Sequence, residues 1–132
     1  MHNLQTKLAK LLVLNASFSI INALIMFIIP AEIAQILLVA DIELIGLSAE
    51  VIILLLAAGL AGFGLFVGYI GFNLDKLKTL TMVIIVADWA WVATTSIIIM
   101  STNVFTEEGR LYFVLVAAIV ALFAYFQGKF YK

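Results

Sequence analysis

Cysteine is absent from this chain of 132 residues, and histidine occurs only once. Without a thiol the chain can form no disulfide, no thiolate metal site and no iron–sulfur cluster. The single histidine, His2, lies outside every long apolar run, which argues against a haem held by paired histidines and against a catalytic zinc site. We therefore predict no metal site and no cofactor.

Charge is also scarce, since 11% of the residues are charged and 66% are hydrophobic, whereas about a quarter are charged in a typical soluble domain. The apolar residues form four runs, at about residues 11–29, 51–72, 80–100 and 111–126. Each run approaches the roughly 20 residues that a helix needs to cross a bilayer, and none shows the alternation of a barrel strand. The sequence predicts one transmembrane domain over residues 1–132, an all-α integral membrane four-helix bundle.

The four runs divide the charges unevenly between the two sides of a membrane. Six of the seven basic residues share one side, namely Lys7, Lys10, Lys76, Lys78, Lys129 and Lys132, and six of the eight acidic residues lie opposite. Because cytoplasmic loops carry an excess of basic residues, we predict a multi-pass protein of the cell inner membrane with both termini in the cytoplasm. The lipid bilayer is its expected partner, and no basic patch is available for nucleic acid.

The segment between the first two runs has its own periodicity. Apolar residues recur there in steps of four and three, at Ile33, Leu37, Ala40, Leu44 and Leu47. This pattern predicts a short amphipathic helix that lies on the outer membrane face or caps the bundle, beginning near Pro30. The alternative is an apolar loop packed on the helix ends.

Small residues form stripes at helical spacing in the second and fourth runs. They are Ala57, Ala61, Gly64, Gly68 and Gly71 in one run and Ala117, Ala121 and Ala124 in the other. Small residues let helix backbones approach closely in lipid, so both stripes are predicted to be helix-packing seams. Each seam can be filled within one chain or by a second copy, and Gly64 with Gly68 permits a homo-oligomer. Close approach to a lipid-like ligand is a further alternative.

Asp88 is the only charged residue well inside a predicted span. A carboxylate at such a depth costs about 2.5–3.5 kcal/mol on insertion scales, so something must offset that cost. Trp91 and Thr95 follow it by three and seven residues and share its helix face. These residues are the candidate ligand or proton site in the third span.

The first span offers a polar stripe that complements Asp88. Asn15, Ser19 and Asn22 are spaced by four and three residues, and a rise of about 1.5 Å per residue puts Ser19 and Asp88 at nearly the same depth. We predict that this stripe faces Asp88 and Thr95. If the cluster is dry, the carboxyl would be neutral at pH 7 and would donate to Asn22 or Ser19.

Asp88 then has three alternative roles. It can hold helices together through hydrogen bonds, or it can be a proton or cation site with the face of Trp91 beside it. A catalytic role is disfavoured because no second titratable group partners it within the predicted spans. We expect a non-catalytic accessory or structural membrane protein. The alternative is a proton-coupled small transporter, or a binder of a lipid-like hydrophobic ligand, centred on Asp88.

A family resemblance is carried by Asp88-Trp89-Ala90-Trp91-Val92, Ser96, Gly109, the run 116–121 and Phe126-Gln127-Gly128. In these residues, and in size and layout, the chain resembles small bacterial four-span inner-membrane proteins of the DoxX-like type. That resemblance implies no established activity and no catalytic residue. Small multidrug-resistance transporters are also four-span chains with a membrane carboxylate. Their acid lies in the first helix, where this chain has Asn15, Ser19 and Asn22.

Overall fold

The computed structural model describes residues 2–39, 43–44 and 46–131. Its elements are, in order, α1 (His2–Ile28), α2 (Pro30–Leu37), β1 (Glu43–Leu44), β2 (Leu47–Ser48), α3 (Ala49–Phe72), α4 (Leu74–Leu77), a 3-10 turn (Lys78–Leu80), α5 (Thr81–Ser101) and α6 (Glu107–Phe130). Among the described residues, four helical segments are long and apolar enough to span a bilayer. The predicted all-α four-helix bundle is confirmed, and α1 and α6 extend several residues beyond the runs that predicted them.

Large apolar side chains cover the outside of the bundle. Leu14, Leu65, Val86 and Leu122, one from each long helix, are all more than half exposed. Soluble monomers rarely expose so much contiguous apolar surface, whereas in lipid such side chains meet a solvent as apolar as themselves. Helices suit that solvent because they satisfy their backbone hydrogen bonds internally. The chain is an integral, multi-pass membrane protein.

The four long helices do not pack equally against one another. The most extensive contact is between α1 and α3, followed by the contact between α5 and α6, and α1 also packs against α6. The helices α3 and α5 touch at only a few points. The order around the bundle is therefore α3, α1, α6 and α5, with a gap between α3 and α5.

The glycine stripe of α3 forms the tight seam with α1. A Cβ added to Gly64 would lie 2.6 Å from Cγ1 of Ile20 and 3.2 Å from the backbone oxygen of Ala16. Gly68 and Gly71 also face atoms of α1. Helix α1 of the same chain thus packs on this stripe, which leaves Gly64 buried and Gly68 half-buried.

The remaining small residues take part in packing to different degrees. Ala57 and Ala124 are buried, whereas Ala61, Ala117 and Ala121 are only half-buried. The core face of α6 is instead formed largely by bigger side chains, at Phe113, Val116, Val120 and Gln127, with Ala124 between them. The predicted stripe on α6 therefore lies at the edge of the packed face and meets the core only at Ala124.

Helix α2 is amphipathic as predicted, but it is shorter. It buries Ala34 and Leu37 and ends at Leu37, because the next residue, Leu38, is extended and forms an isolated β-bridge with Phe105. The backbone oxygen of Leu37 accepts a hydrogen bond from the amide of Thr106 at 3.1 Å. The chain after Leu37 thus pairs with the backbone of the segment that precedes α6 and does not form another turn of α2.

The prediction that the helix continues to Leu47 is wrong. Leu44 and Leu47 pair with each other in the antiparallel hairpin of β1 and β2. Gly46 lies in the hairpin turn with a φ of 76°, a left-handed conformation that glycine adopts without steric cost. Ala40, which was predicted to share the apolar face, lies outside the described residues.

Two apolar clusters fill the interior of the bundle. One lies toward the lysine-rich end and consists of Leu8, Leu12, Ala16, Val67, Ile70, Leu74 and Ile84. The other lies toward α2 and consists of Met26, Ala34, Leu37, Leu38, Ile53, Ala57 and Phe113. Four buried polar side chains, those of Asn15, Ser19, Asp88 and Gln127, form the candidate site.

Candidate functional site

Asp88 lies on the inner face of α5 and is 2% exposed. It follows Thr81, the first residue of α5, by about 10 Å of helix rise. Two amide side chains from other helices are buried beside it, Asn15 of α1 and Gln127 of α6. Because α1 and α6 are neighbours in the bundle, three helices meet at this carboxyl group.

The three side chains form a closed triangle of hydrogen bonds. Nδ2 of Asn15 donates to Oδ2 of Asp88 at 3.0 Å, and Nε2 of Gln127 donates to the same oxygen at 2.9 Å. Nδ2 of Asn15 also donates to Oε1 of Gln127 at 3.0 Å. Asp88 is thus an acceptor from Asn15 and Gln127, and not the predicted donor to Asn22 or Ser19.

The second carboxyl oxygen of Asp88 differs from the first. No group among the described residues donates a hydrogen bond to Oδ1. Asp88 also lines a cavity, so this carboxyl has one oxygen held by the protein and one without a donor. An acceptor of that kind in an apolar setting is unfavourable until a donor reaches it.

The cavity has a volume of about 320 Å³ and occupies the gap between α3 and α5. Its walls are mainly apolar, and it is lined by Asn15, Phe18, Ser19, Leu55, Leu56, Gly59, Leu60, Phe63, Ala87, Asp88, Trp91, Val116 and Val120. It is not fully enclosed. Two of the residues that line it, Leu55 and Gly59 of α3, are exposed on the surface of the bundle.

Four of the six predicted site residues surround this cavity. Asp88, Asn15, Ser19 and Trp91 all line it, so the match in depth between α1 and α5 places them together. Thr95 is buried on the same face of α5 but does not line the cavity. The indole Nε1 of Trp91 is buried and has no hydrogen-bond partner among the described residues.

Asn22 belongs to a different contact. Its Nδ2 donates to the backbone oxygen of Phe18 at 2.8 Å, and its Oδ1 accepts a hydrogen bond from the hydroxyl of Tyr112. Asn22 therefore ties α1 to α6 nearer to α2. The structure does not bring it to Asp88.

Gln127 is a site residue that the apolar runs of the sequence do not predict. The fourth apolar run ends at Phe126 and therefore predicts Gln127 outside the membrane, whereas α6 continues to Phe130. A signal was nonetheless present, because Val116, Val120 and Gln127 share one helix face. A polar residue on the buried stripe of a spanning helix is a candidate for an interhelical hydrogen bond.

The electrostatics of the site are simple. Asp88 is the only ionisable residue that lines the cavity, and no Lys or Arg among the described residues does so. No three His, Asp or Glu side chains within the described part of the chain lie close enough together to hold a metal ion. The arrangement can accept hydrogen bonds from a ligand and can balance a positive charge.

Fold and site together define a class: a helical multi-pass membrane protein with an apolar cavity inside the membrane and a single carboxyl group on its wall. Comparisons with protein families, with characterised proteins and with solved structures give no match to this chain. Its function must therefore be argued from the geometry of the site.

Proposed function

We propose that this protein is a non-catalytic membrane protein that binds a hydrophobic ligand taken sideways from the bilayer. The observation that carries the proposal is the cavity of about 320 Å³ between α3 and α5, with Asp88 on its wall. Ligand sites are typically concave, mostly apolar, and fitted with a few polar groups that orient the ligand. This cavity has that composition, and its volume falls at the lower end of the usual range of about 300–1,000 Å³.

A binding role suits the site better than catalysis does. General acid–base and nucleophilic chemistry need titratable groups that converge on one point. Of the described residues that line the cavity, only Asp88 is ionisable, and Ser19 has no histidine or second carboxylate beside it. We therefore keep the non-catalytic role as part of the proposal.

A second candidate is an accessory or structural role, and the triangle of Asn15, Asp88 and Gln127 favours it. These bonds join α1, α5 and α6, as polar side chains at helix contacts commonly do in membranes. The two candidates differ in what they require of the cavity. A purely structural role predicts that filling the cavity while leaving the triangle intact has no functional effect.

The two tryptophans offer a direct test of ligand binding. Trp91 lines the cavity, whereas Trp89 does not and is 45% exposed, so Trp89→Phe leaves one reporter inside the site and Trp91→Phe leaves one facing lipid. In phosphatidylcholine nanodiscs, 6-bromododecan-1-ol is expected to quench Trp91 saturably, because bromine quenches tryptophan on contact and carbon 6 lies within reach of Trp91 when the hydroxyl is at Asp88. Quenching of Trp89 is expected to rise in proportion to the probe dissolved in the bilayer.

Two glycines of α3 supply a matched pair of variants for this test. An added Cβ meets no atom within 4 Å at either Gly59 or Gly62, but only Gly59 lines the cavity. In the Trp89→Phe protein, Gly59→Leu is expected to abolish saturable quenching because its side chain fills the cavity, and Gly62→Leu is expected to leave it unchanged. Saturable quenching that survives Gly59→Leu, or proportional quenching of Trp91 in the parent, would contradict the proposed function.

The orientation and location of the protein form part of the proposal. We propose that it lies in a bacterial inner membrane with the lysine-rich ends of the helices in the cytoplasm, because Lys7, Lys10, Lys76, Lys78 and Lys129 share a side and Arg110 lies opposite. The positive-inside rule supports this assignment.

The absence of cysteine makes the orientation easy to test by labelling. Thr79 and Asn103 are exposed residues at opposite ends of α5. We expect a membrane-impermeant maleimide added to intact spheroplasts to label Asn103→Cys, and to label Thr79→Cys only after the membrane is permeabilised. The reverse pattern would show that the protein is inserted the other way.

A further inference from the structure

We infer that the cavity selects single-chain primary alkylammonium compounds, that is, lipid-soluble amines whose charged head binds at Asp88. This inference rests on the proposed binding function and names the chemical class of the ligand. Three features of the described residues support it: the hydrogen bonding of the carboxyl group, the aromatic walls, and the size and position of the cavity.

The hydrogen bonding requires a ligand that donates. Oδ2 of Asp88 already accepts from Asn15 and Gln127, while Oδ1 accepts from no described group. Ligands with carboxylate or phosphate heads would bring a second negative charge and no donor. An ammonium group has three N–H donors, and its bond to a carboxylate is charge-assisted and therefore stronger than a bond between neutral groups.

Charge balance points the same way. Asn15 and Gln127 orient the carboxyl group but carry no charge, and the cavity walls have no basic side chain among the described residues. In a medium of low dielectric constant an unpaired charge is expensive, whereas a close ion pair is strongly attractive. An ammonium opposite the Asp88 carboxylate makes the occupied site neutral in total.

Aromatic residues line the same space. Phe18, Phe63 and Trp91 contribute to its walls, and aromatic faces attract cations through their quadrupole, tryptophan most strongly. The one polar group on these rings is the indole N–H of Trp91, which is a donor only and therefore offers no acceptor that would compete with Asp88 for the ammonium group.

Size and position favour one alkyl chain. Beyond Asp88 the walls are formed by Leu56, Leu60, Val116 and Val120, which offer an apolar path for a methylene chain. A volume of about 320 Å³ is at the small end for a ligand site, so a lipid with two long chains fits poorly. The opening between α3 and α5 admits the chain from the bilayer without passage through water.

The test is a comparison of four probes that share one twelve-carbon chain with bromine on carbon 6, which lies within reach of Trp91 when the head group is at Asp88: 6-bromododecylamine, 6-bromododecan-1-ol, 6-bromododecanoate and 6-bromododecyltrimethylammonium. Binding is followed by quenching of Trp91 in the Trp89→Phe protein in phosphatidylcholine nanodiscs. Quenching of Trp89 in the Trp91→Phe protein measures how much of each probe is in the bilayer, and affinities are corrected by that amount.

We expect the amine to bind at least about tenfold more tightly than the alcohol, since hydrogen bonds to charged groups are worth more than those between neutral groups. We expect the carboxylate to give no saturable quenching. The trimethylammonium probe has the charge but no N–H donor, so its affinity is expected to fall below that of the amine. Asp88→Asn is expected to bring the amine down to the level of the alcohol.

A second variant keeps the test valid if Asp88→Asn does not fold. Phe63→Leu removes one aromatic wall and leaves the triangle of Asn15, Asp88 and Gln127 untouched. It is expected to weaken binding of the amine about threefold through the lost cation–π contact, while binding of the alcohol stays the same.

The possible failures are distinguishable. If the amine and the alcohol bind equally and Gly59→Leu abolishes both, the amine class is overturned and the binding function stands. If the trimethylammonium probe binds as tightly as the amine, donation to Oδ1 is overturned. If the carboxylate binds most tightly, the charge argument is wrong. If no probe quenches Trp91 saturably, the proposed function itself fails.

Discussion

Replacing Asn15 with valine is expected to lower the free energy of unfolding by about 2 kcal/mol, although the substitution adds apolar surface to a helix that spans lipid. Asn15 donates both to Oδ2 of Asp88 at 3.0 Å and to Oε1 of Gln127 at 3.0 Å. Its loss leaves Asp88 with one donor and Oε1 of Gln127 with none among the described residues. Both acceptor atoms remain buried, so the free-energy cost of removing them from water is no longer offset by a hydrogen bond from Asn15.

The expected loss of about 2 kcal/mol is larger than the contribution of an ordinary interhelical hydrogen bond in a membrane. Interhelical bonds measured by double-mutant cycles average about 0.6 kcal/mol, because the separated helices also find polar partners. Asn15 supports two such bonds at once, and one of them goes to a carboxyl group. Ser19 provides the matched control, because it lies one turn along α1 and is also buried but takes no part in the triangle. Ser19→Ala is therefore expected to cost less than about 0.5 kcal/mol.

A triple variant tests whether the triangle acts as a unit. Asn15→Val, Asp88→Val and Gln127→Leu together remove every polar group of the triangle, and replacement of all the partners by apolar groups can be nearly neutral. The triple variant is therefore expected to be more stable than Asn15→Val alone. Equilibrium unfolding in bicelles gives the free energies, and three additive losses would rule out the network.

Replacing Gly109 with alanine is expected to displace α2 and to lower the free energy of unfolding by about 2 kcal/mol. A Cβ at Gly109 would lie 2.0 Å from the backbone oxygen of Leu37 and 2.9 Å from its carbonyl carbon. Backbone atoms cannot rotate away as a flexible side chain can, so α2 must shift. Overpacking that moves backbone typically costs about 1–3 kcal/mol, and the higher helix propensity of alanine offsets part of that cost.

The same shift would break the pairing that attaches α2 to the start of α6. The amide of Thr106 donates to Leu37, and the amide of Val39 donates to the backbone oxygen of Val104 at 2.9 Å. Hydrogen exchange over residues 30–39 is therefore expected to accelerate in Gly109→Ala. Gly128→Ala in the same helix is the control, since an added Cβ there meets no atom within 4 Å. If the two variants had the same free energy of unfolding and the same exchange rates, the contact at Leu37 would contribute nothing to stability.

Part of the site could be predicted from the sequence because spanning helices have a fixed rise and a nearly fixed direction. Counting residues along two helices that cross the bilayer in the same direction places Ser19 at nearly the depth of Asp88, and both line the cavity together with Asn15, one helical turn away. Depth alone does not determine rotation about the helix axis. Asn22 shares the polar stripe but bonds to Tyr112 of α6, because contact also depends on which helix faces it.

Composition limits what sequence patterns can reveal near the ends of spans. The apolar run stops at Phe126 and so predicts Gln127 outside the membrane, yet the helix continues and buries Gln127 completely. The prediction for the segment after Pro30 is wrong in the opposite sense. Its helical periodicity continues to Leu47, but the helix ends at Leu37. The backbone there pairs with Val104 and Thr106 instead, and periodicity contains no information about such distant partners.

The amino-acid sequence by itself determined that four apolar helices form this protein, because each helix satisfies its own backbone hydrogen bonds and lipid leaves no other structure for such runs. The sequence also determined that a lone carboxyl group lies at a depth where it needs partners. Only the tertiary structure decided which amides hold that carboxyl, that α1 covers the glycine stripe, and that a cavity separates α3 from α5. Those outcomes depend on helix rotation and on side-chain packing between segments far apart in the chain, which no local pattern specifies.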